Sequence, residues 1–149
     1  MNRLSQNELI GTVAVQSALD NSPGRCLSLS KAMLILPLLF DKTIRAVLKR
    51  SNSVVLSSKD LIISSPNSFV IIRARYEDLT ITSLNAILLA QELGIAELRE
   101  NDLVLKSKIF FGSDDIGKAA LDMLASGPKL GLILSESTVD LYQTFRIEL

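Results

Sequence analysis

The stretch IAELRENDLVLKSKIFF, residues 95–111, decides which fold the sequence encodes. Asn101–Asp102 suits the two-residue turn of a β-hairpin. A turn fixed there places Leu98 opposite Leu105 on two antiparallel strands. Side chains alternate along a strand, so the hairpin gains one charged face and one apolar face, the latter formed by Leu103, Leu105, Ile109 and Phe111. The stretch therefore predicts a hairpin that packs against a core.

Three short helices are predicted immediately before this hairpin. Ser57 with Asp60 three residues later resembles a capping box and opens the first helix. Ser65–Pro66 then offers an N-cap residue followed by proline at the first helical position, which begins the second. A third helix runs from Thr82 to Leu93 and ends at Gly94. Its predicted apolar stripe consists of Leu84, Ile87 and Leu88. This order predicts a winged helix-turn-helix core at about residues 57–111.

The segments on either side are predicted to be mainly helical. Residues 32–40 are uninterruptedly apolar, but a membrane span needs about 20 such residues, so we interpret 30–50 as a buried helix with a charged outer face. Another amphipathic helix is expected from about Gln6 to Leu19. After the hairpin, Ser113 is expected to cap a helix that Gly127–Pro128 stops, and residues 137–149 fit a helix or a strand, of which we favour the helix.

These patterns predict a mainly α protein with a small β-hairpin, in the α+β class. We expect a single domain over residues 1–149, with the winged-helix core at about 57–111 and additional helices at 6–50 and 113–149. A chain of 149 residues is long enough to bury a sizeable core.

Composition argues against catalysis and against a metal site. The chain has no histidine, which is the commonest general base and metal ligand, and Cys26 is its single cysteine. Neither a dinucleotide nor a Walker phosphate loop occurs. Sixteen basic and sixteen acidic residues cancel, so no global positive field favours nucleic acid. We therefore expect no enzymatic activity, no cofactor, no metal, no small-molecule substrate and no membrane segment, and a cytoplasmic location.

Two stretches resemble a known family. LSLSKAMLILPLLFDKTIRAVL (27–48) is similar to a core segment of the middle components of bacterial three-component ABC ATPase systems, and RARYEDLTITSLNAILLAQELGIAEL (73–98) resembles the segment that follows it there. The small third subunit of Lamassu-type anti-phage defence is a related protein. The sequence departs from the pattern of that family at two motifs. Asn7–Glu8 stands where the family has Asn-Pro, and residues 125–128 stand in place of a Leu-Gly-x-Trp-Phe-like motif.

The resemblance implies an adaptor in an anti-phage or anti-plasmid defence complex. Such subunits resemble small winged-helix proteins that bind an SMC-like ABC ATPase and link it to an effector, often a nuclease. The alternative is a stand-alone winged-helix transcriptional regulator that binds DNA. The third helix argues against the regulator, because only Asn85 and Gln91 on it could read bases and it has no lysine or arginine.

Candidate contact residues fall into two groups. The chain ends are expected to expose apolar side chains to a partner. The arginines and the tyrosine of residues 73–76 either contact a partner as well, or form ion pairs and packing contacts within the chain. The predicted partner-binding residues are Ile10, Val13, Arg73, Arg75, Tyr76, Leu141, Tyr142 and Phe145. The densest basic cluster is a possible nucleic-acid contact, expected to be weak or to act only within the complex; it consists of Lys42, Arg45, Lys49 and Arg50.

Overall fold

The computed structural model describes residues 3–50, 52 and 54–148. Over these residues the chain is mainly helical, with one small antiparallel sheet, as predicted for the α+β class. The helices are α1 (Arg3–Asp20), α2 (Leu29–Ala32), α3 (Ile35–Leu39), α4 (Lys42–Lys49), α5 (Ser58–Ser64), α6 (Pro66–Asp78), α7 (Thr80–Glu92), α8 (Lys118–Ala125), α9 (Gly127–Leu134) and α10 (Thr138–Thr144). The strands are β1 (Cys26–Ser28), β2 (Ala96–Arg99) and β3 (Asp102–Leu105).

Helix α1 is the centre of the fold. Every residue from Gly11 to Leu19 is buried, because α3, α7, α8, α9 and the sheet pack around the helix. Gln16 holds the chain that leaves the hairpin: its Nε2 donates to the Phe110 carbonyl at 2.7 Å, and its Oε1 accepts from the amides of Ile109 and Phe110 at 2.8 and 3.0 Å. The predicted two-faced helix is thus buried on all sides along this length.

The apolar stretch at 30–50 is core, as predicted, but it is not one helix. Leu34 to Leu39 are all buried, whereas the chain turns extended at Asp41 and begins α4 afterwards. The Asp41 Oδ1 accepts from the Ile44 amide at 2.9 Å, which is the N-cap interaction that starts α4. Asp41 thus separates α3 from α4, and its buried carboxylate has a hydrogen-bond partner.

The three predicted helices before the hairpin are present as α5, α6 and α7. The Ser57 Oγ accepts from the Asp60 amide at 3.2 Å, and α6 begins at Pro66. Gly94 adopts φ +79, as expected of a glycine that ends a helix. The predicted apolar stripe of α7 is wrong in part, because Leu84 and Leu88 are exposed while Ile87 is buried.

The hairpin forms, but its turn lies one position earlier than predicted. Leu98 pairs with Leu103 and Arg99 with Asp102, so the turn residues are Glu100 and Asn101. This shifts the pairing partner by two residues and leaves the alternation of faces unchanged, so Leu103 still points into the core. A third strand, β1, pairs antiparallel with β3 and gives the order β1-β3-β2.

The C-terminal third is helical. The predicted start at Ser113 is wrong: α8 begins at Lys118, and the Asp114 carboxylate instead accepts from the Phe111 amide at 2.8 Å. Gly127–Pro128 does mark the end of α8, but it also opens α9, since proline fits the first turn of a helix. The favoured helix near the C-terminus is present as α10. Buried residues from all these parts form one hydrophobic cluster.

Candidate functional site

A metal centre is absent from the residues that the structure describes. Among the residues described, no group of three or more histidine, cysteine, aspartate or glutamate side chains could hold a metal ion. Cys26 is half-buried in β1 and pairs across the sheet with Val104. None of the helices within the described ranges has both the length and the apolar character needed to cross a membrane.

The chain ends do not supply the predicted exposed patches. Leu141, Tyr142 and Phe145 are 0, 2 and 0% exposed, and Val13 is 3% exposed. The expectation that these side chains lie at the surface is wrong, because α10 packs into the core and α1 is surrounded by other elements. Ile10 is half-buried at the edge of that core.

Tyr142 is fixed from two sides. Its hydroxyl donates to the Ser30 carbonyl at 2.6 Å, and its ring meets that of Tyr76 edge to face, with 5.7 Å between the centroids. Burial, and then the hydrogen bond with the Tyr76 hydroxyl, raise the pKa of Tyr142 above its usual range. Tyr76 thus packs within the chain and joins α6 to α10.

The two arginines of α6 form ion pairs within the chain, which was one of the two alternatives. The Arg75 Nε lies 3.3 Å from the Oδ2 of the buried Asp41 and so links α6 to the start of α4. Arg73 lies 3.7 Å from Glu77 and 3.8 Å from Glu148, all three exposed. Arg73 remains accessible at the surface, whereas Arg75 and Tyr76 are half-buried.

Helix α7 presents a row of large aliphatic side chains to solvent. Ile81, Leu84 and Leu88 follow one another at three and four residues, so they lie on one face of the helix, and they are 67, 44 and 56% exposed. We call these three residues the apolar stripe. The opposite face packs against α1 and consists mostly of small side chains: Ser83, Ala86, Ile87 and Ala90. Helix α7 thus buries mainly small residues, together with Ile87, and exposes three of its large ones.

Three acidic residues lie near the apolar stripe in the part of the chain that the structure describes. Asp78 precedes α7, Glu92 ends it, and both are exposed. On the neighbouring α1, the Glu8 Oε2 accepts from the Asn85 Nδ2 at 2.8 Å, which places this carboxylate beside the stripe. Helix α7 itself contains no lysine or arginine. The stripe is thus an apolar surface with an acidic border.

The two amides of α7 that could read bases are engaged within the chain. Asn85 donates to Glu8, and the Gln91 Nε2 donates to the Ile87 carbonyl at 3.4 Å. Each amide thus uses one of its two N–H groups for a contact within the chain.

Three of the four residues of the predicted basic cluster line a depression between α4 and α8. Lys42, Arg45 and Lys49 lie on its α4 side, and α8 adds Lys118, which sequence reasoning missed because it is 69 residues from Lys49. Asp122 is the one carboxylate in the lining, 3.3 Å from the Lys49 Nζ and 3.5 Å from the Lys118 Nζ. We call Lys42, Arg45, Lys49 and Lys118 the basic groove.

Arg50, the fourth predicted basic residue, does not line this depression. It follows the end of α4, and its carbonyl accepts from the Lys129 Nζ at 2.5 Å. Three of the four predicted residues thus lie together, and Lys118 of α8, in place of Arg50, is the fourth cation of the groove.

Comparison with known proteins identifies the family. No protein of curated function and no solved structure matches the chain. The family model described as ABC-three component (ABC-3C) system Middle Component 3 matches residues 12–149, which is nearly the whole chain. The match extends from the central helix α1 to the C-terminus and so includes both the apolar stripe and the basic groove. The chain therefore belongs to the Middle Component 3 family of ABC-three component systems.

Proposed function

We propose that this protein is a non-catalytic adaptor that binds the SMC-like ABC ATPase of its three-component system through the apolar stripe and links it to an effector, such as a nuclease, in defence against phages and plasmids. The observation that carries the proposal is the exposure of Ile81, Leu84 and Leu88 on a helix whose small residues face inward. Membership of a middle-component family supports a role between other subunits.

The stripe has the properties of a contact surface. Three contiguous aliphatic side chains at helical spacing are the pattern of anchor residues in helix-mediated recognition. Covering them with a partner removes apolar area from water, which favours association by about 25 cal/mol per Å² before the costs of binding are subtracted. Because the helix face beneath them is already packed against α1, the partner meets a surface that needs no rearrangement.

The acidic border indicates what kind of surface covers the stripe. A partner helix with an apolar face and lysine or arginine at its flanks would complement Asp78, Glu92 and Glu8. A second copy of this chain is a poorer fit, because a symmetric contact would bring the same acidic border against itself. We infer that the ATPase presents such a basic-flanked helix.

The alternative is a winged-helix regulator that binds DNA. In its favour, three short helices, α5 to α7, precede the hairpin of β2 and β3, which is the order expected of a winged-helix core at about residues 57–111. Strand β1 adds a third strand to that hairpin, in the order β1-β3-β2. Against it, α7 occupies the recognition position but offers aliphatic side chains and two engaged amides. The arrangement is therefore better suited to binding protein.

The test is a pair of matched double variants. Leu84→Glu with Leu88→Glu changes the stripe at side chains 44 and 56% exposed, and Leu132→Glu with Val139→Glu changes α9 and α10 at side chains 45 and 57% exposed. Affinity for the purified ATPase of the same three-component system is measured by calorimetry. We expect the stripe variant to bind at least about 10-fold more weakly, since two anchor residues are lost, and the control variant to bind normally.

Either of two results would contradict the proposal. One is normal affinity of the stripe variant. The other is an equal loss in both variants, since that loss would come from added negative charge and not from the stripe. Circular dichroism spectra of both variants verify that each is folded. A sequence-specific, tight DNA complex of the isolated chain would favour the regulator instead.

A further inference from the structure

We propose that the basic groove binds the phosphate of a nucleotide unit, with the base directed toward an adjoining apolar depression. The site is lined by Lys42, Arg45 and Lys49 of α4 and by Lys118 of α8, around a depression of about 340 Å³. Nothing in the proposed adaptor role requires such a site, and it lies on different helices from the apolar stripe.

The groove carries an excess of positive charge. Four cations and one carboxylate line it, which leaves a local charge of +3 in a chain whose total charge is zero. Lys49 and Lys118 share Asp122, while Lys42 and Arg45 have no carboxylate within ion-pair distance among the described residues. An anion in the groove would therefore meet two uncompensated cations.

Arg45 is held in place at one wall of the groove. Its Nη1 donates to the Leu39 carbonyl at 2.8 Å, whereas its Nε is shielded from solvent and has no hydrogen-bond partner in the part of the chain that the structure describes. Lys42, Arg45 and Lys49 recur along one face of α4, and about 10 Å separates the first from the last along the helix axis. The helix thus presents a row of cations, of which Arg45 is held in place.

The adjoining depression gives the groove an apolar end. It measures about 170 Å³. Arg45 and Ala119 line both this depression and the one at the basic groove, so the two depressions are contiguous. Its other lining residues are Asn7, Ile10, Phe40 and Met123. Phe40 is half-buried and the sole aromatic side chain there.

This combination favours a nucleotide unit over an acidic peptide. Proteins that bind single strands combine cations for the backbone with an aromatic side chain for the base. An acidic peptide would use the cations alone and leave Phe40 and Ile10 without a role. The shared chemistry is a phosphate next to a base, supplied either by a free nucleotide or by a single-stranded nucleic acid.

Asp122 provides a variant that should strengthen binding. Its carboxylate already engages Lys49 and Lys118, so it competes with any incoming phosphate. Asp122→Asn removes that charge and keeps the side chain's shape. An increase in affinity is a result that a merely structural ion pair would not produce.

The experiment measures fluorescence anisotropy of a labelled 12-nucleotide single strand with the full chain at low salt. We expect Lys42→Glu with Lys118→Glu to weaken binding at least 10-fold and Asp122→Asn to tighten it several-fold. Lys59→Glu with Lys106→Glu changes the net charge equally at exposed sites outside the groove and should have little effect. Affinity should fall as salt rises, since each phosphate of a single strand that is neutralised contributes about 0.7 to the slope of log affinity against log salt.

Competition identifies the source of the phosphate. Displacement of the strand by ATP at similar concentration indicates a site for one nucleotide, and displacement by unlabelled strand alone indicates a continuous strand; either supports the proposal. Three results would overturn the proposal. The first is that neither the strand nor ATP binds, and the second is that the control variant weakens binding as much as the groove variant. The third is that polyglutamate displaces the labelled strand as effectively as unlabelled strand does.

Discussion

Helices α1 and α7 pack against each other, and both are rich in apolar residues, yet they are used differently. Between Gly11 and Leu19, α1 has no exposed residue, while α7 faces α1 with mainly small side chains and turns Ile81, Leu84 and Leu88 to solvent. Apolar content alone therefore does not identify the buried side of a helix. Here the size of the side chains does, because small residues let the two helices approach closely.

Two phenylalanines differ clearly in exposure. Phe145, after α10, is 0% exposed, and Phe111, after the hairpin, is 48% exposed. We expect Phe145→Asp to destabilise the protein by more than about 4 kcal/mol, because it combines a large cavity with a buried charge. Phe111→Asp, the control, should cost less than about 1 kcal/mol. Urea unfolding followed by circular dichroism measures both.

A folded Phe145→Asp variant of nearly normal stability would contradict the assignment of α10 to the core. The C-terminal segment would then again be a candidate for partner binding, as the sequence had suggested.

The close contact between α1 and α7 can be tested at Gly11. A Cβ atom there would lie 2.8 Å from the Cβ of Ala86, closer than real Cβ atoms approach. We expect Gly11→Ala to reduce the free energy of unfolding by about 1–3 kcal/mol, the usual range for overpacking. Gly112→Ala is the control, because no atom would lie within 4 Å of its Cβ and its φ is not positive.

The second helix supplies the compensating change. Adding Ala86→Gly to Gly11→Ala removes the methyl group that the new one meets, so the double variant should recover part of the lost stability. No recovery would mean that the two helices are not in contact at this point.

Local patterns predicted much of the secondary structure. Ser57 and Asp60 identified the start of α5, and Gly94 the end of α7, because capping depends on neighbouring residues alone. The hairpin was found from its alternation of side chains, although Asn101–Asp102 gave the turn one position late.

Contacts between distant parts of the chain could not be predicted in this way. Strand β1 is only three residues long, too short for a pattern of alternating side chains to be recognised. Its pairing with β3 depends on how the 73 residues between the two strands fold. The meeting of Lys118 with the basic face of α4 likewise depends on how α8 packs.

The candidate surfaces were the hardest feature to predict, because they depend on contacts between distant parts of the chain. High apolar content suggested that exposed patches lie at the chain ends, but Leu141 and Tyr142 are buried while Leu84 and Leu88 are exposed. An amphipathic pattern shows that a helix has two sides without showing which side has a neighbour. On α7 the pattern grouped Leu84 and Leu88, which are exposed, with Ile87, which is buried.

The smallest expected effect compares the same substitution on both helices. Leu88 of α7 is 56% exposed and Leu19 of α1 is 0% exposed. Leu88→Gln should change the free energy of unfolding by less than about 0.5 kcal/mol, because glutamine is a good helix former and little buried area is lost. Leu19→Gln should cost about 3 kcal/mol or more, because an unpartnered amide replaces a packed side chain. Urea unfolding at neutral pH measures the difference. A large loss for Leu88→Gln would mean that the stripe already supports the isolated fold, and a surface needed for folding is a poor candidate for the partner site proposed on α7.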